Sequence, residues 1–340
     1  MEKVTTDIIG YRIKEDVYSN SIEGLFLLKK GSTLTKKHVE LLTKHQINPF
    51  DVISSTEDTP PSSINNTFTN LIDEVKETFH FIIEQENYNV DRFLHNYEKA
   101  IDFSLQELAI LDIIHTEVPP KDYIYQHSIN VGIISAIIGK ILGLSRQECH
   151  LLSQMGLFHD IGMLKINPAL LQAQDRLTQK EYKEIQKHTT YGKSILFQVS
   201  QLDILISRTA LLHHEKINGK GYPSRRTEKD IPFLIQIVSV ADKFNSMCTT
   251  HTYKEKKTYF EAINELVNEA YGNALNPAIV IPFTNFIMGK QLFQKVTLSN
   301  NETAEIIFIH QNEPHLPLVR LKDSYIDLRK ASLKITGVAT

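Results

Sequence analysis

Cysteine is scarce: the 340 residues hold two, Cys149 and Cys248, without CxxC spacing and each inside an apolar stretch. That excludes a disulfide framework, fits a reduced compartment, and leaves both thiols as expected core residues. Long apolar runs are missing too. No window approaches the roughly 18 uninterrupted apolar residues that cross a bilayer, and the opening residues 1–7 lack the apolar centre of a secretory leader. A cytoplasmic protein without membrane insertion is the expectation. Neither sign of charge dominates: a formal net charge of −3 gives no electrostatic reason to bind duplex nucleic acid or an anionic membrane. Small anionic substrates remain open. A chain that is 41% hydrophobic and 23% charged also has no compositional case for disorder.

Histidine is the count that stands out, at 14, with several in the middle third beside acidic residues. Around that third the chain reads as distinct segments. Residues 24–34 carry a β-prone apolar run closed by Gly31, 35–46 read as a helix begun by Thr35, and 50–54 as a second short strand. This predicts a small α+β accessory or regulatory domain over 1–56, followed by a turn-rich stretch at 54–66. Over 57–118 the spacing predicts a linker and connecting helices, broken near 87–89, with an apolar stripe that includes Phe68, Leu71, Val75, Phe79, Phe93 and Ile101. That stripe leaves two arrangements open, pairing with a copy of itself in a homodimer or packing against the rest of the chain. Residues 119–290 are mostly helical by periodicity, with breaks at Gly143, Gly162, Pro168 and 219–223. After Gly289 short alternating runs at 295–298, 304–309 and 318–321 predict a small β extension over 291–340. The fold class expected is therefore mainly α: an all-helical bundle between a small α+β unit and a small β appendage.

The chemistry concentrates at His159-Asp160, which closes an apolar helix face and precedes Ile161-Gly162. A lone doublet of this kind is most often just a helix end. Here it is accompanied by His127 upstream, and by His188, the pair His213-His214 and Asp242 downstream. Taken singly, His127 reads as a surface residue, His188 as a helix-terminal cation, His213 as a buried partner and Asp242 as a cap. Taken together they are imidazoles and carboxylates on otherwise apolar helices, where burial is costly without a partner and a metal ion satisfies them all. Two divalent ions need several neutral imidazoles, and a carboxylate giving one oxygen to each keeps them close enough to share a water. Asp160 is the natural bridge.

The full set runs His159-Asp160-Ile161-Gly162, then His188 with Gly192 four residues on, then His213-His214-Glu215-Lys216-Ile217-Asn218-Gly219-Lys220-Gly221-Tyr222-Pro223, then Val240-Ala241-Asp242. In this the sequence resembles the HD-GYP subgroup of the HD hydrolase superfamily over about half of the chain. The resemblance implies an HD-type helical core and a bacterial signalling enzyme, a cyclic-dinucleotide phosphodiesterase with two divalent transition-metal ions, iron or manganese. By matched position His127, His159, Asp160 and Asp242 would hold one ion, and Asp160, His188, His213 and His214 the other. His159 and Asp160 would be the catalytic doublet. Trinuclear relatives carry a Glu one turn before the first His, where this chain has Tyr123, so two ions are expected. The loop Asn218, Gly219, Gly221, Tyr222 and Pro223 would pack beside the second ion. A hydroxide shared by the two ions would attack phosphorus and open cyclic di-GMP to linear pGpG, and on to GMP, or open the mixed cyclic GMP–AMP.

Two positions depart from the pattern. The family's Lys after His-Asp-Ile-Gly is Met163, and its Arg beyond the last metal Asp is His251, with Tyr253 and Lys254 still in place. Tyr253 and Lys254 are expected substrate contacts, and Lys165 and His251 are the groups placed to replace the lost phosphate donors. Each missing charge-assisted hydrogen bond costs roughly 1.5–3 kcal/mol. The second reading is accordingly a catalytically weak or inactive HD-GYP module that keeps its metals and senses a nucleotide, or serves a signalling protein partner. An HD hydrolase of ordinary nucleotides leaves the His pair and the Gly-Tyr-Pro loop unexplained.

Overall fold

The computed structural model describes residues 13–20, 26–28, 34, 36–49, 52, 62–85, 88–107, 122–171, 178–249 and 256–339. Contacts divide the chain into two units, Met1–Leu71 and Ile72–Thr340. In the first, strands β1 (Val17–Tyr18) and β2 (Phe26–Leu28) pair antiparallel, and helix α1 (Lys36–Lys44) follows. Ile13, Val17, Leu28, Leu34, Leu42 and Val52 close over a small core of their own. β1 was not anticipated, because two residues are too short to display an alternation. The strand expected at 50–54 lies outside the described residues except for Val52.

The helical periodicity after residue 67 becomes α2 (Ser62–Glu84) and α3 (Asp91–Glu107). The break between them falls where the Asn pattern put it, and the Asn89 side chain accepts the Asp91 N–H at 2.8 Å. Next comes α4 (Tyr123–Ile141), buried without interruption from Tyr125 to Gly139. A helix buried on every side belongs in the middle of a bundle. α3 and three later helices accordingly pack on it: α5 (Arg146–Phe158), α10 (Phe233–Cys248) and α12 (Pro277–Gly289). Ser145 and Glu148 form a capping box that fixes the start of α5. A 3-10 turn, Ile161–Lys165, leads to the short α6 (Pro168–Leu171), and α7 (Gln179–Gln186), α8 (His188–Leu196) and α9 (Ile204–Leu212) complete that side. Cys149 and Cys248 are free and buried, as expected.

From Val75 to Ile101 the stripe left open by the sequence is buried inside the bundle. Phe79 is fully buried and stacks on Phe158 at 5.5 Å, and the Tyr97 hydroxyl donates to the Ser153 carbonyl at 3.3 Å. α11 (Tyr259–Tyr271) and α12 carry the β appendage, a five-stranded antiparallel sheet in the order β6-β5-β4-β3-β7. Its strands are β3 (Lys295–Leu298), β4 (Thr303–Phe308), β5 (Leu318–Leu321), β6 (Ser324–Asp327) and β7 (Ile335–Val338). Val296, Leu298, Ile306 and Val319 point inward. The last two strands were not predicted, because they have weak alternation of their own and exist through their ladders to β5 and β3. The Tyr271 hydroxyl and the Asn285 amide tie the appendage down by donating to the carbonyls of Asn312 and Gln311. Among the described residues no helix is long and apolar enough to cross a membrane.

Phe158 immediately precedes the His-Asp doublet, so the Phe79 stack sets the floor under it. Truncating a buried aromatic of this kind costs about 3–5 kcal/mol. Phe79→Ala should therefore lower the thermal unfolding midpoint by several degrees, measured by circular dichroism.

Candidate metal centre

The seven residues singled out from the sequence come from five separate helical segments. His127 lies in α4, His159 caps the end of α5 with Asp160 next to it, His188 opens α8, His213 and His214 follow α9, and Asp242 lies in α10. Their donor atoms form two adjoining groups, Asp160 with His188, His213 and His214, and His127 with His159 and Asp242. Within each group the donor atoms lie within 4.8 Å of one another. Asp160 Oδ1 is 3.3 Å from His188 Nε2 and 3.4 Å from His213 Nε2, while its Oδ2 is 3.4 Å from His159 Nε2 and 3.8 Å from His127 Nε2. One carboxylate thus gives one oxygen to each group. Asp242 completes the His127–His159 group with Oδ1 at 3.1 Å from His127 Nε2, and its Oδ2 lies 3.9 Å from His214.

The orientation of the rings follows from what holds their other nitrogens. Nδ1 of His159, His188 and His213 lies 2.6, 2.7 and 3.0 Å from the carbonyls of Gly156, Ile185 and Thr209. A carbonyl only accepts, so each Nδ1 carries hydrogen, and a neutral ring then turns the lone pair of Nε2 toward the others. Nε2 of His188 and of His213 face each other at 3.4 Å, an arrangement that two lone pairs do not favour without a cation between them. Asn245 Nδ2 stands 2.7 Å from His127 Nδ1, while the Asn245 Oδ1 is buried without a partner. Turning the amide over gives that oxygen the Nδ1 hydrogen and brings His127 into line with the other three rings.

The electrostatics point the same way. Burial alone would raise both carboxyls, but the surrounding imidazoles outweigh it and hold Asp160 and Asp242 well below the usual carboxylate range. Burial also works against a charge on His159, yet Asp160 and Asp242 push that ring up to about 9. His188 is lowered, chiefly by burial. Asp160 Oδ1 and His159 Nε2 are buried with no hydrogen-bond partner of acceptable geometry. Orphaned atoms of this kind need an explanation, and a divalent cation between the groups supplies one. The donor set of imidazoles and carboxylates, without thiolate, suits a divalent transition metal.

Residues 112–279 match the HD domain family. A cyclic di-GMP phosphodiesterase of Thermotoga maritima is 31% identical over 204 residues, 60% of this chain and 53% of that protein. Cyclic di-GMP phosphodiesterase PdeB of Borreliella burgdorferi is 28% identical over 57% of this chain and 50% of its own length. Over these residues the chain carries an HD domain and is similar to HD-GYP proteins. The 3'3'-cGAMP-specific phosphodiesterase 3 of Vibrio cholerae is 29% identical over 46% of this chain and 33% of its own. The chain therefore spans about half the length of the first of these relatives, or less. In structure an HDG"Y"P protein from Bdellovibrio bacteriovorus shares the fold, with a TM-score of 0.51 and 18% identity over 82% of this chain and 94% of that one.

The loop that gives HD-GYP proteins their name lies against the group of His188, His213 and His214. The Tyr222 ring is 4.7 Å from that of His214 and 6.5 Å from His188, and the Tyr222 N–H reaches the His214 carbonyl at 3.3 Å. A Cβ on Gly221 would sit 2.5 Å from the His214 carbonyl oxygen and the Glu215 Cα, so this approach requires glycine. Gly162 has the same constraint: a Cβ there would strike the His188 carbonyl and come within 2.5 Å of the Gly192 nitrogen. Asn218 bridges to Thr227, and the Tyr222–Pro223 peptide is cis. Glu215, to which sequence reasoning assigned no role, binds the loop from beneath. It is buried, and its two carboxylate oxygens accept the N–H groups of Ser224 at 2.6 Å and Arg226 at 2.9 Å. Its place beside the His pair was the available signal. Asn245 was missed as well, because a partner 118 positions from His127 leaves no local trace.

Met163 is partly buried in the turn after Asp160, and Lys165 ends that turn exposed. His251, Tyr253 and Lys254 lie outside the described residues.

Glu215→Gln keeps the size of the side chain but turns one acceptor into a donor facing an N–H. Metal affinity at the His188, His213 and His214 group should fall by roughly 10- to 100-fold, the range for partners that orient ligands. A Mn²⁺ titration against a competing chelator reads this out; an unchanged affinity would show that the loop does not hold the His pair.

Proposed function

We propose that this chain is a metal-dependent phosphodiesterase that opens a 3′–5′ cyclic dinucleotide, cyclic di-GMP or the mixed cyclic GMP–AMP, to its linear form. Two iron or manganese ions are the cofactor of this reading. Its main support is the division of Asp160 between two groups of imidazoles, each with its lone pairs turned inward. His127, His159, Asp160 and Asp242 would hold one ion, and Asp160, His188, His213 and His214 the other. When bound, such a pair lowers the pKa of a shared water and neutralises charge that builds on the phosphoryl oxygens. The residues 119–290 would form the catalytic domain, with 1–56 an accessory unit, 57–118 a connector and 291–340 an extension. The substrate class draws on the activities named for the Thermotoga, Borreliella and Vibrio relatives.

The protein's own groups have separable tasks in this reaction. Backbone carbonyls of Gly156, Ile185 and Thr209 keep the imidazoles turned inward, so no reorganisation is needed when an ion binds. The His214 side chain, 29% exposed against 11% or less for the other six ligands, marks the side from which a phosphodiester approaches. Tyr123 supports a count of two ions. It stacks on His127 at 5.6 Å, and burial pushes its phenol far up, so it stays neutral where a carboxylate would draw a third cation.

Met163 favours a second reading, in which the site keeps its metals and turns over poorly or not at all. A thioether supplies no charge to a phosphate, and the nearby cation Lys165 is exposed.

Metal analysis of anaerobically purified protein, joined to hydrolysis assays on both dinucleotides with added Fe²⁺ or Mn²⁺, tests these readings. About two ions per chain and a linear product are expected. Chelation should abolish turnover, and Asp160→Ala should lower it by at least about 10²–10³-fold while releasing metal. Metal binding without cleavage supports the second reading, and absence of metal refutes both. Under the second reading Met163→Lys should raise kcat/KM by roughly ten- to a hundredfold.

A further inference from the structure

One aromatic side chain near the metal centre is used neither by the core nor by the ligand set. Tyr182 lies in α7, a helix of otherwise mostly polar and charged residues (QKEYKEIQ) with no buried residue, and it is itself 50% exposed. The helix does not need Tyr182 for packing, and a purely solvated position there would carry a charge, as Lys180, Lys183 and Glu184 do. Its position relative to the cluster is nonetheless fixed. A capping box of Thr178 and Glu181 sets the start of α7. At its other end the Ile185 carbonyl accepts the Nδ1 hydrogen of His188 at 2.7 Å. Tyr182 sits one helical turn before Ile185.

The rings form a continuous path outward. His188 and His214 meet Tyr222 at 6.5 and 4.7 Å, and Tyr222 meets Tyr182 edge-to-face at 6.4 Å with 74° between the planes. The contact with Tyr222 fixes the orientation of Tyr182 and leaves half of its surface to solvent. A flat, oriented aromatic surface one ring beyond a phosphodiester site fits the π-face of a base.

We infer that Tyr182 is a substrate-binding residue that stacks on a purine of the cyclic dinucleotide while the phosphodiester lies over the His214 side of the cluster. This rests on the substrate reading proposed above. Stacking tolerates any base, so Tyr182 adds affinity for purine nucleotides without choosing between guanine and adenine. It also supplies binding at a distance from the phosphate, where Met163 has removed a charge.

Steady-state kinetics on the metal-loaded enzyme tests the inference with two substrates, the cyclic dinucleotide that it turns over and bis(p-nitrophenyl) phosphate, which has a phosphodiester and no purine. For Tyr182→Ala the KM for the dinucleotide should rise by roughly 5- to 100-fold with kcat retained, the loss of one base stack. Turnover of bis(p-nitrophenyl) phosphate, metal content and unfolding midpoint should stay at wild-type values, and Tyr182→Phe and Tyr182→Trp should keep the low KM. An unchanged KM in Tyr182→Ala overturns the inference. So does a parallel loss on both substrates, which would make Tyr182 only a support for Tyr222. If the wild-type enzyme cleaves bis(p-nitrophenyl) phosphate but neither binds nor cleaves either dinucleotide, the substrate reading fails and this inference fails with it.

Discussion

A single buried carboxylate governs the arrangement of this protein. Asp160 lies within 4 Å of four imidazoles, with one oxygen toward His127 and His159 and the other toward His188 and His213. A carboxylate is acceptor-only, and in a low-dielectric interior it demands positive partners. Asp160 and Asp242 accordingly push His159 up to about 9 against the effect of burial. Protons and divalent cations compete for the same inward-facing Nε2 atoms, so the bundle carries a deficit of positive charge that metal can fill.

The surrounding helices are arranged to keep that deficit in place. Three of the imidazoles donate Nδ1–H to carbonyls within their own or the adjoining helical turn. Ring direction is therefore tied to backbone, and backbone to the packing of α5 on α4, of α9 on α5 and α8, and of α8 on the 3-10 turn after Asp160. Gly162 allows α8 to approach closely enough for His188 to reach Asp160. Small shifts in any of these helices would open the donor groups, and this links the Phe79–Phe158 stack beneath the doublet to the chemistry above it.

The Gly-Tyr-Pro loop plays a different part. It gives no donor to either group, but Glu215 fastens its backbone and Tyr222 covers His214. Under the proposed function the loop would extend the site toward recognition, and with Met163 offering no charge to a phosphate, affinity would come from the ions and from contacts with the rest of the ligand.

The helical bundle, the break between α2 and α3, and the chemical identity of the site were legible in the sequence, because helical periodicity and His/Asp spacing are local patterns. The C-terminal sheet was legible only in part: β3, β4 and β5 alternate clearly, whereas β6 and β7 take their strand character from neighbours. Glu215 and Asn245 could not be assigned roles, since their partners lie 9, 11 and 118 positions away. The same holds for Tyr182, an ordinary surface residue in the sequence whose significance comes from Tyr222 beside it. The sequence by itself determined which residue types can bind a divalent ion and which helices carry them. Only the tertiary structure decided that Asp160 faces both groups, which nitrogen of each ring points inward, and where the aromatic path to solvent runs. The physical reason is that ligand type is a property of the side chain, whereas distance and direction are fixed by helices packed from distant parts of the chain.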